Sequence, residues 1–146
     1  MKQTEVRWRP MRIVYVVGTR PNFVKTAPVI AALRTRLPGG RHAIVHTGQH
    51  YDRAMSEVFF EELGVPLPDH MLEVGSGSHA QQTARTMERL EPVLDEERPD
   101  LVIVPGDVNS TLAAVLTAVK VGIPTAHVES GPVSYTHLTL PTNREV

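Results

Sequence analysis

Two cations and two carboxylates in this chain stand where buried apolar runs give way to polar turns. In the segment VVGTRPNFVKTA, Val16 to Ala27, a glycine turn joins an apolar run to a helix pattern, and Arg20 and Lys25 flank the helix start. The free N–H groups and positive dipole end of a helix N-terminus favour an anion such as phosphate, and neighbouring cations strengthen that preference. Pro21 suits the first helical turn, where its missing N–H leaves no bond unmade. Taken alone, the segment also fits an ordinary strand-to-helix turn with two solvated cations.

A second candidate is Asp107, in PGDVNST after the apolar run Leu101–Val104. Asn109 or Ser110 can cap the helix that follows, and Asp107 itself can be a turn or capping residue. Glu129, after the next apolar run, provides a second carboxylate at the equivalent edge. Two carboxylates in one cleft can divide acid and base work if their environments separate their pKa values. In HTGQHYD, His46, Gln49, His50, Tyr51 and Asp52 cluster, and His50 can donate to a phosphate or act as an acid or base, or be satisfied by its own loop. The histidines and carboxylates lack metal-ligand spacing and there is no HExxH, so no metal is expected.

The elements that must position these residues alternate in type. Strand patterns cover Arg12–Val17, His42–His46, Leu101–Val104 and Thr125–Val128, with a weaker one over Met71–Val74. Helix patterns cover Pro21–Arg36, Ala54–Leu63, His79–Glu96 and Ser110–Val121. Three of these four meet a proline or glycine stop, while Pro92 can kink or end the third, which Ser78 is placed to cap. Strand–helix alternation specifies an α/β fold with a doubly wound parallel sheet, Rossmann-like, and ligands of such sheets bind beyond the carboxyl ends of the strands. That rule selects Gly18–Arg20, Thr47–Tyr51, Gly106–Ser110 and Glu129–Gly131.

Composition narrows the function classes. With 146 residues, 41% hydrophobic, the chain can bury one core. A formal charge of −1 without a basic block gives no sign of nucleic acid or an anionic membrane as partner, and no apolar run approaches the ~20 residues of a span. The absence of cysteine excludes disulfides and thiolate chemistry and is compatible with a reducing compartment, so a cytoplasmic location is expected. GTRPNF is not GxGxxG and there is no GxxxxGK[ST], so a dinucleotide or P-loop nucleotide would need another recognition mode. An arginine-bearing turn near carboxylates suits a nucleotide-linked sugar better.

Four motifs, GTRPNFVKTAPVI, HTGQHYD, PGDVNSTLAA and GIPTAHVESG, stand in an order and at a spacing that resembles the non-hydrolysing UDP-N-acetylglucosamine 2-epimerases. The resemblance runs from Met11 to Gly131 and implies the N-terminal half of a two-domain GT-B-type architecture with the active site between the domains. It implies inversion at C2 of UDP-GlcNAc to give UDP-ManNAc through elimination and re-addition of UDP, without a cofactor, by a homodimer. Arg20 and Lys25 match the family's basic nucleotide-sugar contacts, and Asp107 and Glu129 match its motif carboxylates. The rivals are a GT-B-type glycosyltransferase or hydrolysing epimerase, a non-catalytic nucleotide-sugar sensor, and a free-standing ligand-binding domain.

The two ends read differently. Residues 1–10 read as a loose extension, with Met11 a plausible start, and 11–131 as the domain. After HVESG the family continues Leu-Arg, whereas Val133–Thr142, VSYTHLTLPT, matches the conceptual translation of a transposase adaptor used in sequencing libraries. Residues 132–146 are therefore excluded from fold reasoning. The expectation is that a long read of the source DNA continues past the Gly131 codon into Leu-Arg and a second domain. A genomic reading frame that encodes VSYTHLTLPTNREV and then stops would reject it.

Overall fold

A computed structural model describes residues 9–48, 61, 62, 64 and 66–129, apart from the Arg20 side chain. The element order is β1 (Arg12–Val17), α1 (Arg20–Arg36), β2 (Arg41–His46), β3 (His70–Met71), α2 (His79–Glu97), β4 (Leu101–Pro105), α3 (Asn109–Lys120) and β5 (Thr125–Val128). The expected helix over Ala54–Leu63 lies outside the described residues except for helical Glu61 and Glu62. All strand pairings are parallel, in the order β3-β2-β1-β4-β5, so the chain winds outward from β1 in both directions.

The central strands β1 and β4 are apolar over most of their length because both faces of the sheet are covered there. Val14, Val16, Ala43, Val45, Val102 and Val104 point to one face, where they meet Leu90 and Leu94 of α2 and Ala114 and Ala118 of α3. Ile13, Tyr15, Val17, Ile44 and Ile103 point to the other and pack against Phe23, Ala27 and Ile30 of α1. This arrangement is the doubly wound α/β sheet expected from the sequence. Helix α3 approaches closely because its inward residues are small: Ala113, Ala114 and Ala118 are fully buried. Leu112, Leu116 and Val119 lie on its outer side and leave an exposed apolar stripe.

The helix expected over His79–Glu96 is present, and two other local readings need correction. Helix α2 passes through Pro92 without ending and stops at Glu97, with Arg98 in the left-handed conformation at φ 44°. Strand β3 is shorter than Met71–Val74, because Glu73 at φ 50° turns the chain out of the extended region. Its hydrogen bonding along β2 nevertheless continues, from Leu72 N–H to the His46 carbonyl and from Val74 N–H to the Thr47 carbonyl, both at 2.8 Å. Finally, the N-cap of α3 is Val108, with no side-chain cap bond, so neither Asn109 nor Ser110 caps it. Ser78 does cap α2, and with Gln81 it completes a capping box.

The amino edge of the sheet is closed by charge. Glu97, at the end of α2, accepts from Arg41 at 2.7 and 3.2 Å and meets His70 Nε2 at 2.9 Å, while Arg12 Nε donates to its carbonyl at 2.6 Å. Asp69 pairs with Arg41 at 3.0 Å and accepts the Ile44 N–H at 2.8 Å. The Arg41 hydrogen bond, aided by His70 and opposed by burial, lowers the Glu97 carboxyl to about 2. At the other end of the same sheet, His46 stacks on Phe23 with centroids 5.2 Å apart and accepts the Gly48 N–H at Nδ1, 2.8 Å away. Burial lowers its pKa to about 4, which keeps the ring neutral.

These two groups set an acid-stability profile. The native His46 resists a proton that the unfolded chain takes near pH 6.5, so stability should fall between about 6.5 and 4. Native Glu97 stays ionised where the unfolded carboxyl protonates near 4.5, so its contribution is present above that pH and lost toward 2. Urea unfolding across this range should show both steps, and His46→Gln should flatten the upper one. A flat profile from pH 6.5 to 4 in the parent chain would contradict the burial argument.

Candidate active site at the carboxyl edge

The carboxyl ends of β1, β2, β4 and β5 open onto one polar edge. Gly18 follows β1, and its φ is not positive, so its value here is space rather than backbone freedom. A Cβ at Gly18 would stand 2.4 Å from Ser110 Oγ and 3.0 Å from Thr47 Oγ1, which shows how tightly the β1 turn, the β2 turn and the start of α3 converge. Gly106 has φ 69°, and a Cβ there would meet Asn22 Oδ1 at 3.1 Å. The turn that carries Asp107 therefore lies against the first turn of α1.

Two helices begin at this edge without a capping side chain. Neither α1 nor α3 has an acidic residue in its first turn or a side-chain cap bond. By contrast, α2 has its complete capping box. Uncapped N–H groups with the positive dipole end suit an external anion. Two further polar atoms, Asn22 Nδ2 and Thr47 Oγ1, are buried without a hydrogen-bond partner, on residues 5% and 0% exposed. Leaving such groups unpaired costs about 1–3 kcal/mol each.

Lys25 and Glu129 meet across this edge with Nζ and Oε2 2.5 Å apart. Glu129 follows β5 directly and has φ 63°, a conformation costly for a residue with a Cβ. Asp107 is exposed and lies two residues beyond Pro105, whose partner in the β4–β5 register is Val128. The two candidate carboxylates thus leave adjacent strands at the same level. His127 Nε2 hydrogen-bonds the Gly106 carbonyl and ties the two exits together. The backbone of Arg20 opens α1, but its side chain lies outside the described set, as does all of His50 together with Gln49, Tyr51 and Asp52.

Residues not singled out in the sequence support this edge from behind. Arg85 Nη1 donates to the carbonyls of Val74 and Ser76, at 3.3 and 3.0 Å, and Arg89 Nη1 to those of Leu72 and Glu73, at 2.8 and 2.5 Å. They hold a strap, residues 72–76, whose Gly75 N–H donates to the Gly48 carbonyl at 3.1 Å. A sequence shows such helix arginines only as solvated charge, because their acceptors are backbone carbonyls. Asn22 and Thr47 were likewise hidden, since their environment arises from the fold. Among the described residues no group of three or more His, Cys, Asp or Glu could hold a metal, and no helix is long and apolar enough to cross a membrane.

Comparison with known proteins places this architecture. The family model described as UDP-N-acetylglucosamine 2-epimerase matches residues 34–139. A UDP-N-acetylglucosamine 2-epimerase homolog of Methanococcus maripaludis is 47% identical over 125 residues, covering 86% of this chain and 34% of the relative. The UDP-2,3-diacetamido-2,3-dideoxy-D-glucuronate 2-epimerase of Pseudomonas aeruginosa is 45% identical, covering 86% and 35%. The crystal structure of Methanocaldococcus jannaschii UDP-GlcNAc 2-epimerase in complex with UDP-GlcNAc and UDP superposes with a TM-score of 0.78 at 42% identity, covering 88% of this chain and 35% of that one. The chain therefore spans about a third of the length of the relatives it matches. With its doubly wound sheet and the family match across most of its length, the chain belongs to the UDP-N-acetylglucosamine 2-epimerase family.

Proposed function

We propose that residues 11–131 form the N-terminal Rossmann-like domain of a two-domain, GT-B-type 2-epimerase that converts UDP-GlcNAc to UDP-ManNAc. The observation that carries this reading is the meeting of Lys25 and Glu129 at 2.5 Å on an edge where two helices begin without capping side chains or acidic first turns. Such an edge offers a cation and free N–H groups to a diphosphate, with carboxylates beside the sugar. The buried unpaired Asn22 Nδ2 and Thr47 Oγ1 support a polar occupant at the same edge.

In this reading Arg20 and Lys25 hold the nucleotide diphosphate, and His50 contacts the substrate. Asp107 and Glu129 carry the acid/base work or stabilise the sugar. One base removes the C2 proton, the C–H electron pair forms the C1–C2 double bond, and the C1–O bond breaks to release UDP with its electrons. UDP then returns to C1 of the glycal while a proton is delivered to the opposite face of C2. Electrons and atoms balance without a redox cofactor. The working enzyme is a cytoplasmic homodimer, and the 146-residue chain alone is inactive because the groups of a second domain are missing from around the substrate.

A second reading concerns the sugar. The 45%-identical Pseudomonas aeruginosa relative is named for a diacetamido-dideoxy-glucuronate substrate, so the same C2 chemistry on that nucleotide sugar is the alternative. Product analysis with both substrates on the complete protein decides between them, and free ManNAc plus UDP would instead indicate a hydrolysing enzyme.

In that protein, Asp107→Asn and Glu129→Gln should each lower kcat by at least about 100-fold, the scale of a lost general acid or base. Wild-type rates in both variants would reject the assignment. Glu129→Gly separates chemistry from stability. It relieves a left-handed backbone cost of about 1–3 kcal/mol and loses a half-exposed ion pair worth about 0–1 kcal/mol, so Tm should hold or rise while turnover is lost. A marked fall in Tm would show that the ion pair is structural.

A further inference from the structure

We propose that Asn109 is a positioning residue that ties the Asp107 turn to the first turn of α2 through Gln82 and His79. This rests on the epimerase reading for its consequence in catalysis, but its geometry is independent of that reading. Asn109 stands two residues after Asp107 and opens α3. Its Nδ2 lies 2.9 Å from Gln82 Oε1 and 2.9 Å from His79 Nδ1. An amide nitrogen has two hydrogens and no acceptor capacity, so it donates one to each partner. His79 must then present an unprotonated Nδ1 and carry its ring proton on Nε2.

Both partners sit on a rigid support. The first turn of α2 is fixed by reciprocal bonds between Ser78 and Gln81, at 3.0 and 3.2 Å. On the other side, Thr111 Oγ1 donates to the Pro105 carbonyl at 2.7 Å and holds the turn to its own strand. Asparagine at a helix start ordinarily caps the helix through its side-chain oxygen, yet here the cap position is Val108 and the Asn109 amide reaches another element. Deeper packing of Leu90 and Leu94 near Ala114 and Ala118 already holds α2 and α3 against the sheet. The Asn109 tie is therefore surplus to helix docking and acts on the end of α3 that bears Asp107.

The test uses Asn109→Ala, Gln82→Ala and the double variant. In this chain, amide exchange at Gly106, Thr111 and Leu112 should accelerate roughly tenfold in Asn109→Ala, as expected for lost hydrogen bonds at a local opening, while Ala113–Ala118 and β1 stay protected. The two single variants should be non-additive. The 15N shifts of the His79 ring should move from a single Nε2–H tautomer toward a mixture, which loosened packing alone would not produce. In the complete protein, Asn109→Ala should lower kcat about tenfold with KM little changed, as for a misplaced catalytic group. Wild-type exchange at the three amides, an unchanged His79 tautomer, or full kcat in Asn109→Ala would each overturn the proposal. A parent enzyme without epimerase activity would reject the proposed function alone, and the exchange and imidazole data would then decide the tie.

Discussion

Burial of β1 on both faces is the constraint from which the remaining architecture follows. A central parallel strand with no solvent-facing side must alternate its side chains between two separate cores, as Val14 and Val16 do on one side and Ile13, Tyr15 and Val17 on the other. Helices then have to cover both faces, and polar chemistry is left only at the strand ends. Tyr15 keeps to this rule by hydrogen bonding to His42 Nδ1 at 2.9 Å, and burial raises its phenol to about 12.

The two edges of the sheet divide their tasks. At the amino edge, Arg41, Asp69, His70 and Glu97 pair among themselves and leave little unsatisfied, which suits a structural closure. The carboxyl edge has unpaired buried polar atoms and uncapped helix starts. In the proposed reading, this incomplete satisfaction in an otherwise well-paired fold is where the nucleotide sugar would bind.

Much of this was legible in the sequence, for identifiable reasons. Buried strands such as Arg12–Val17 advertise themselves as apolar runs, and Ser78 before a helix pattern reads as a cap. Lys25 and Glu129 were selected separately and are brought together by the fold. What failed to show depended on tertiary context. Pro92 offered a possible kink or early end, but it lies on an exposed face of α2, where water can take up the carbonyl that its missing N–H leaves free. Asn109 looked like a cap because local propensity ranks it so, whereas its partners lie 27 and 30 residues earlier. Glu73 carried no turn signal, since its conformation is imposed from outside.

That imposed conformation has a consequence for which substitutions count as conservative. The bent path of residues 72–76 is held by four carbonyl bonds from two guanidinium nitrogens on α2. An ammonium on a flexible stem carries the same charge without the planar, fixed donor geometry, so lysine at 85 or 89 would preserve electrostatics and surrender shape. The contour beside Gly48 is thus encoded partly in residue type on a neighbouring helix, while within the strap the buried Leu72 and Val74 and the positive-φ Gly75 are constrained and the exposed Ser76 is free to vary.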